Sequence, residues 1–292
     1  MIQGLTSEGM AILNGDDPNV KWMASHTKAR IKTFGMDPTN DVWASEVELN
    51  WPRGNSFVIH TPNSTCKIQT RLLGETMVYP ILAAVTVAVA EGFSLKKVIH
   101  KLETLETSPG RMELLTLTNG VTIIDDSFKA PIESYHAALK LLYRIPAKRR
   151  VLVMGHIEEP VGPQGLQYRN LGERVGKFVD LIYFAEHKRN FTSLRAGVSN
   201  AGMSRELVIH CPDGLQRLVE RLMSELKEGD VVLVKATYAN KFRRVSMMMH
   251  GAHVQCTVKH CKLKVFYCEQ CPLVQVDTTT IRNPVITRLI SH

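Results

Sequence analysis

With 292 residues and 44% apolar content the chain has the composition of a globular protein able to bury a sizeable core, and its length argues for about two domains. The net charge of +8 leaves an anionic partner open, but Arg149, Arg150, Lys188, Arg189, Lys241, Arg243 and Arg244 are scattered among apolar runs, the pattern of a solvated basic surface rather than a nucleic-acid-binding tract. The longest apolar stretch, Ile81 to Ala90, is far short of the ~20 residues of a membrane span.

Met1 to Leu5 shows no charged region leading into an apolar core, so no signal peptide is read and a cytoplasmic setting is expected. In that setting the six cysteines are expected as reduced thiols or metal ligands.

In chain order, short β-rich runs come first: Met10 to Leu13, Arg30 to Phe34, Val42 to Leu49, Ser56 to His60 and Lys67 to Leu72, separated by turn clusters such as Thr61-Pro62-Asn63-Ser64. Thr76 to Glu91 reads as a helix apolar nearly all round, hence buried. Ser94 is placed as the cap of a second helix through Leu105, with Leu95, Val98, Ile99 and Leu102 on one face. Pro109-Gly110 breaks the pattern and puts a domain boundary near Ser108.

Behind that break, Asn119-Gly120 marks a hairpin turn. Strands at Thr122 to Ile124, Val151 to Met154, Leu181 to Phe184, Leu207 to His210 and Val231 to Val234 then alternate with helices over about Ile132 to Tyr143, Leu171 to Phe178, Thr192 to Ala201 and Gly214 to Leu226. Such alternation predicts a parallel α/β sheet covered on both faces. From about Gly251 the texture changes again, to a cysteine-rich tail.

Three short motifs carry the chemistry. Asn14-Gly15-Asp16-Asp17-Pro18 follows a strand, where α/β folds place ligand loops; it equally suits a turn that caps a helix starting near Pro18. Arg111, just behind Pro109-Gly110, offers a fixed guanidinium to phosphate oxygens, or is a surface linker arginine. Asp125 and Asp126 end a strand, and adjacent carboxylates repel unless a cation or hydroxyl donors satisfy them; a metal-nucleotide or ribose contact competes with an N-cap role. In the tail, Cys256, Cys261, Cys268 and Cys271 lie within sixteen residues, with His253 and His260 interleaved. Four thiolates at that spacing suit a closed structural Zn²⁺ site, against four reduced cysteines in a tail.

Taken together, residues 8 to 248 resemble the Mur ligase family, and among its members the D-alanyl-D-alanine-adding enzymes most. The similarity lies in the motifs above, in Asp125-Asp126-Ser127-Phe128-Lys129-Ala130, in Val151-Leu152-Val153-Met154-Gly155 followed by Glu158-Glu159, and in Gly229-Asp230 leading to a strand that ends at Lys235. The resemblance implies part of a central ATPase domain over 1–108, a Rossmann-like α/β C-terminal domain over 109–250 and a Cys-rich, zinc-binding tail over 251–292. It implies ATP-dependent amide formation through an acyl phosphate in peptidoglycan precursor synthesis, with ATP, Mg²⁺, a nucleotide-linked peptide and an amino acid or dipeptide as the reacting partners. A folylpolyglutamate or polyglutamate-type ligase shares that fold and chemistry.

Carried onto these positions, Asn14, Arg111, Asp125 and Asp126 would contact ATP, and Lys129, Glu158 and Lys235 the incoming substrate. The chain departs from the family at Thr76, Met77 and Pro80, where many members have histidine and asparagines, and at Ala236-Thr237-Tyr238, where glycine-serine is usual. No glycine-rich loop ending in Gly-Lys-Thr or Gly-Lys-Ser occurs in the 292 residues. The resemblance therefore implies that the chain begins partway through the central domain and does not make acyl phosphate at a useful rate alone. A non-catalytic subunit that completes a site on another chain, which supplies the missing half in trans, is the second expectation.

Overall fold

A computed structural model of the protein describes residues 2–160, 162–258 and 267–275, and the chain divides into two compact units, Met1–Thr107 and Ser108–His292.

In the first unit, β1 (Met10–Asn14), β2 (Arg30–Gly35), β3 (Val42–Leu49), β4 (Asn55–Thr61) and β5 (Ser64–Thr70) form one sheet in sequence order. The β1-β2 and β2-β3 pairings are parallel and the others antiparallel. Alternation along β4 and β5 turns Phe57, Ile59 and Ile68 into a core closed by Val78, Ile81, Leu82 and Val85 of α2 (Val78–Ala90). The helix is not buried all round as its composition predicts, because Val87 on its outer face is 48% exposed. A uniformly apolar helix has no marked face, so which side is covered is decided by where the sheet lies. Helix α3 (Leu95–Leu102) turns Leu95, Ile99 and Leu102 inward on the expected spacing but stops short of Leu105, and the Ser94 side chain makes no capping hydrogen bond.

In the second unit, β6 (Glu113–Thr116), β7 (Thr122–Asp126), β8 (Arg149–Met154), β9 (Leu181–Phe184), β10 (Val208–His210) and β11 (Asp230–Lys235) form a sheet in the order β10-β9-β8-β11-β7-β6. Every pairing is parallel except the β6-β7 hairpin. Strand β11, in the interior, is buried at all six positions, as a parallel strand covered on both faces must be. On one face Ile123, Val151, Val153, Tyr183, Val232 and Val234 pack with Leu218 and Leu222 of α7 (Leu215–Glu225) and with Val245 and Met249 of α8 (Arg243–Met249). Their strand neighbours Ile124, Leu152, Ile182 and Leu233 point the other way and are equally buried. Each such side chain contributes roughly 1.5–3 kcal/mol of burial.

Helices α4 (Ile132–Arg144), α5 (Gln164–Val175) and α6 (Lys188–Asn200) complete the covering. Helices α5 and α6 start earlier than the apolar spacing predicts, since their first turns are polar and carry no periodic signal. Their backbones approach closely at two glycines: a Cβ on Gly197 would lie 1.9 Å from the Arg169 carbonyl oxygen, and one on Gly172 2.3 Å from that of Leu194.

Candidate functional site

In a parallel sheet the carboxyl ends of the strands and the loops behind them form the natural ligand edge. Here β7 ends in Asp125 and Asp126, both buried, and the register places Lys235, the last residue of β11, opposite Asp126. Their side chains meet at 2.7 Å with Lys235 wholly buried. The ammonium also donates to the Lys129 carbonyl oxygen and to Ser134 Oγ. Burial pulls the lysine pKa down, against the opposing pull of Asp126.

Asp125 faces a different cation. Its Oδ2 accepts from Arg243 Nη1 at 2.7 Å, while Oδ1 accepts from the backbone N–H of Ser127 at 3.1 Å. Arg243 also pairs with Glu113 of β6 and with Glu269 of the tail. Burial still pushes the Asp125 carboxyl up, with Arg243 and the Ser127 hydrogen bond acting against it. The adjacent carboxylates therefore avoid mutual repulsion by taking one cation each.

Behind β7 the chain turns through Ser127 and Phe128. The Phe128 N–H donates to the Gly110 carbonyl at 3.2 Å, and the Arg111 guanidinium lies 4.4 Å from the centre of the Phe128 ring. Gly110 has φ +70, a left-handed conformation that favours glycine, so the turn that delivers Arg111 to this edge is encoded by the Pro109-Gly110 pair. Tyr238, behind β11, donates its N–H to the Phe128 carbonyl at 3.0 Å, and Lys241 Nζ stands 3.3 Å from the Tyr238 ring centre.

From β8 the chain continues through Gly155, His156 and Glu158. Glu158 accepts from the Ala130 N–H at 2.9 Å, donates its own N–H to the Ala130 carbonyl at 2.8 Å, and lies 3.6 Å from Lys129 Nζ. His156 Nδ1 lies 3.1 Å from Glu186 behind β9, a hydrogen bond that holds the imidazole above its ordinary pKa of 6.5. Outside β9 and β10 opens a cleft of about 570 Å³ whose lining includes Glu186, His187, Lys188, His210 and Gln216.

Of the residues singled out in the sequence, Arg111, Asp125, Asp126, Lys129, Glu158 and Lys235 thus stand along one carboxyl edge of the second unit. Lys235 points inward to Asp126 rather than outward to solvent. Lys241, Arg243 and Arg244, which the sequence reading assigns to a solvated surface, are instead largely withdrawn from solvent; Arg244 is 3% exposed and Lys241 4%. The signal available was the Arg243-Arg244 doublet on an otherwise apolar segment, where unpaired charge would not be tolerated.

Asn14 belongs to the first unit, at the end of β1, where its Oδ1 accepts the Asp16 N–H at 3.1 Å. Asp16 in turn accepts from the N–H groups of Met36 and Asp37, from Asn40 Nδ2 and from the Tyr79 hydroxyl. Asp17 caps α1 (Pro18–Met23) by accepting from Asn19 and Val20. The turn reading of this motif is therefore what its carboxylates do within the unit.

In the tail, Cys256, Cys268 and Cys271 are free thiols, and Cys261 lies outside the described residues. Among the described residues no three or more His, Cys, Asp or Glu side chains are gathered closely enough to hold a metal ion. No described helix is long and apolar enough to cross a membrane.

Comparison with known proteins gives the family and the fold. The Mur ligase middle domain matches residues 1–88, and the Mur ligase, glutamate ligase domain matches residues 110–238. A UDP-N-acetylmuramoyl-L-alanyl-D-glutamate–2,6-diaminopimelate ligase of Geobacillus thermodenitrificans is 31% identical over 235 residues, covering 77% of this chain and 45% of that protein. A UDP-N-acetylmuramoyl-tripeptide–D-alanyl-D-alanine ligase of Mycobacterium tuberculosis is 29% identical over 259 residues, covering 81% of this chain and 50% of its own. The solved MurF ligase of Thermotoga maritima in complex with ADP superposes with a TM-score of 0.69 at 22% identity, over 85% of this chain and 55% of that one, which shows a shared fold. The chain spans about half the length of the curated relatives it matches.

Proposed function

This chain belongs to the Mur ligase family, and on that premise we propose that it contributes the middle- and C-terminal-domain part of an ATP-dependent acid–amino acid ligase of peptidoglycan precursor synthesis. The observation that carries the proposal is the gathering of Arg111, Asp126, Lys129, Glu158 and Lys235 on one carboxyl edge of the α/β sheet. In the reaction, a carboxylate oxygen takes the γ-phosphoryl group of ATP and ADP leaves; the amine nitrogen then attacks the acyl carbon, phosphate departs, and the amine gives up a proton to solvent. Charge stabilisation at the transferring group is the main demand of such chemistry.

Arg111, fixed against Phe128, is assigned to nucleotide phosphates; Asn14 is assigned, within the first unit, to an adenine-nucleotide contact. Asp125 and Asp126 act through the cations they hold, setting the positions of Arg243 and Lys235. The exposed Lys129 and its partner Glu158 are assigned to the amino component, whose zwitterion needs one group of each sign. Mur ligases are Mg²⁺-dependent. Asp125 and Asp126 are each occupied by a cation of the chain itself, which does not fit a Mg²⁺ cage, so no step is assigned to Mg²⁺ here. We assign the triphosphate cradle to a glycine-rich loop supplied by sequence other than these 292 residues, in a longer form of the same protein or in another chain.

Both named relatives are peptidoglycan ligases, which favours this reading over a polyglutamate-forming one. The test is phosphate release from ATP and Mg²⁺ with nucleotide-linked peptide and amine substrates. Turnover is expected when the 292-residue chain is combined with a P-loop-containing N-terminal half and not with the chain alone. Robust turnover by the isolated chain overturns the division of labour. Adenine nucleotide binding unchanged by Arg111→Ala, where about a tenfold loss is expected, overturns the assignment of this edge.

A further inference from the structure

The matched family domains end at residue 238, yet the described part of the tail is built onto the same edge of the second unit. Two successive arginines of α8 anchor it. Arg244 donates to the Cys256 carbonyl at 2.6 Å and to that of Val258, and Arg243 pairs with Glu269. The N–H groups of Gln255 and Cys256 donate to the Val274 carbonyl at 2.9 and 3.1 Å, so residues 267–275 form a strap that returns to the start of the tail. Tyr267 approaches the Phe128 ring, with centres 6.5 Å apart. The crevice beneath the strap, bounded by Gly110, Ser127, Phe128, Lys241 and Cys268, keeps only about 10 Å³ free, room for a single water at most.

The strap has a specific chemical feature. Residues 268–270 form one tight turn in which the Cys271 N–H donates to the Cys268 carbonyl at 3.1 Å, and both cysteines are free and half-buried. A turn of that kind brings the first and fourth Cα atoms within ~7 Å, a range that overlaps the roughly 4.4–6.8 Å spanned by a disulfide. Cys256 is held by main-chain bonds to Val274 and is not gathered with them into one group.

We infer that Cys268 and Cys271 are a reversible dithiol–disulfide site, and that its state is coupled to the carboxyl edge through Glu269, which lies between them and grips Arg243. The site takes small-molecule disulfides as its reactant. The Cys271 thiolate attacks one sulfur of the disulfide RSSR, forming a mixed disulfide and expelling one thiolate, which is protonated to RSH. Cys268 then gives up its proton to solvent and attacks the Cys271 sulfur, releasing a second RSH. Two protein thiols are oxidised and one RSSR is reduced to two RSH. Closing the bond fixes the turn that presents Glu269, and Arg243 relays that to Asp125 and Glu113.

The test uses the full chain and is independent of the ligase reading. It is incubated with defined ratios of reduced and oxidised glutathione, trapped by alkylation, and analysed by intact mass and peptide mapping. Loss of two hydrogens mapped to the Cys268–Cys271 peptide is expected, with reversal on adding excess reduced glutathione. Cys268→Ser is expected to stop at the glutathione adduct on Cys271. Glu269→Gln, a surface change, is expected to shift the glutathione ratio at half-oxidation about fivefold, because the strap's docking and the bond's closure are linked. Thiols that remain alkylatable at every ratio, a disulfide mapped to Cys256 or Cys261, or purified chain carrying stoichiometric zinc that blocks exchange would each overturn the site. An unshifted ratio in Glu269→Gln overturns the coupling.

Discussion

Lys235 and Asp126 end adjacent parallel strands in exact register, and their charges meet at 2.7 Å with no solvent reaching the ammonium. An ion pair in that position organises the carboxyl edge because neither partner tolerates the loss of the other. Asp126→Asn is expected to destabilise the second unit by about 3–5 kcal/mol, and Lys235→Met by a similar amount. The double substitution should cost clearly less than the sum of the two. Denaturant unfolding of the four proteins measures this, and additive single effects would remove the pair's role.

Arg243 serves Asp125, Glu113 and Glu269 together. Asp125 has its folded-state pKa raised by burial, so its protonated form favours the folded state, and stability falls as pH rises through that raised value. Arg243→Met removes the cation that limits this loss. The variant is expected to be destabilised at neutral pH by about 3–5 kcal/mol, with the deficit shrinking in acid as Asp125 takes up its proton. Thermal unfolding at about pH 5 and about pH 8 distinguishes this from a pH-independent packing defect.

Asp16 ties the loops of the first unit. Burial would raise its pKa, but the N–H groups of Met36 and Asp37, with Tyr79 and Asn40, outweigh it and hold the carboxyl below 3.8. A depressed folded-state value contributes stability that is present above the unfolded pKa and is lost as pH falls through the folded one. Asp16→Asn is expected to cost about 1–3 kcal/mol near neutrality and to erase that acid-side slope. Burial and Asp16 push the Tyr79 phenol up to about 12. Ultraviolet titration should find it returning toward ordinary tyrosine in the variant, and no movement would break the link.

Gly197 and Gly172 let α5 and α6 touch at their backbones. Gly197→Ala puts a methyl where the Arg169 carbonyl oxygen stands, 1.9 Å from the new Cβ, so the helices must separate. Overpacking of this kind costs about 1–3 kcal/mol. A melting temperature equal to that of the parent chain would show that the approach is looser than described. Gly202→Ala, in open space but at φ +88, controls for backbone strain alone.

The strands of both sheets lie close to where alternation and apolar runs put them, because β-rich segments bounded by turns carry their own signal. The hairpin turn at Asn119-Gly120 was likewise legible, although β6 itself, Glu113–Thr116, was not. Helix α8 escaped notice for a related reason. Its two arginines, Arg243 partly and Arg244 fully buried, read as surface charge until Asp125, Glu113 and the tail carbonyls are brought to them from elsewhere in the chain. The first turns of α5 and α6 are polar, so periodicity had nothing to count there.

By itself, the sequence determined the alternating α/β pattern, the break at Pro109-Gly110 and the kinds of residue that end each strand, since these follow from local spacing and backbone preference. Tertiary structure alone decided which cation each carboxylate received. Asp126 lies 109 residues from Lys235 and Asp125 lies 118 from Arg243, and only the register of β7 beside β11 and the docking of α8 close those distances. Charge pairing inside a fold is a property of neighbours in space, and a linear pattern of apolar and polar positions does not specify them.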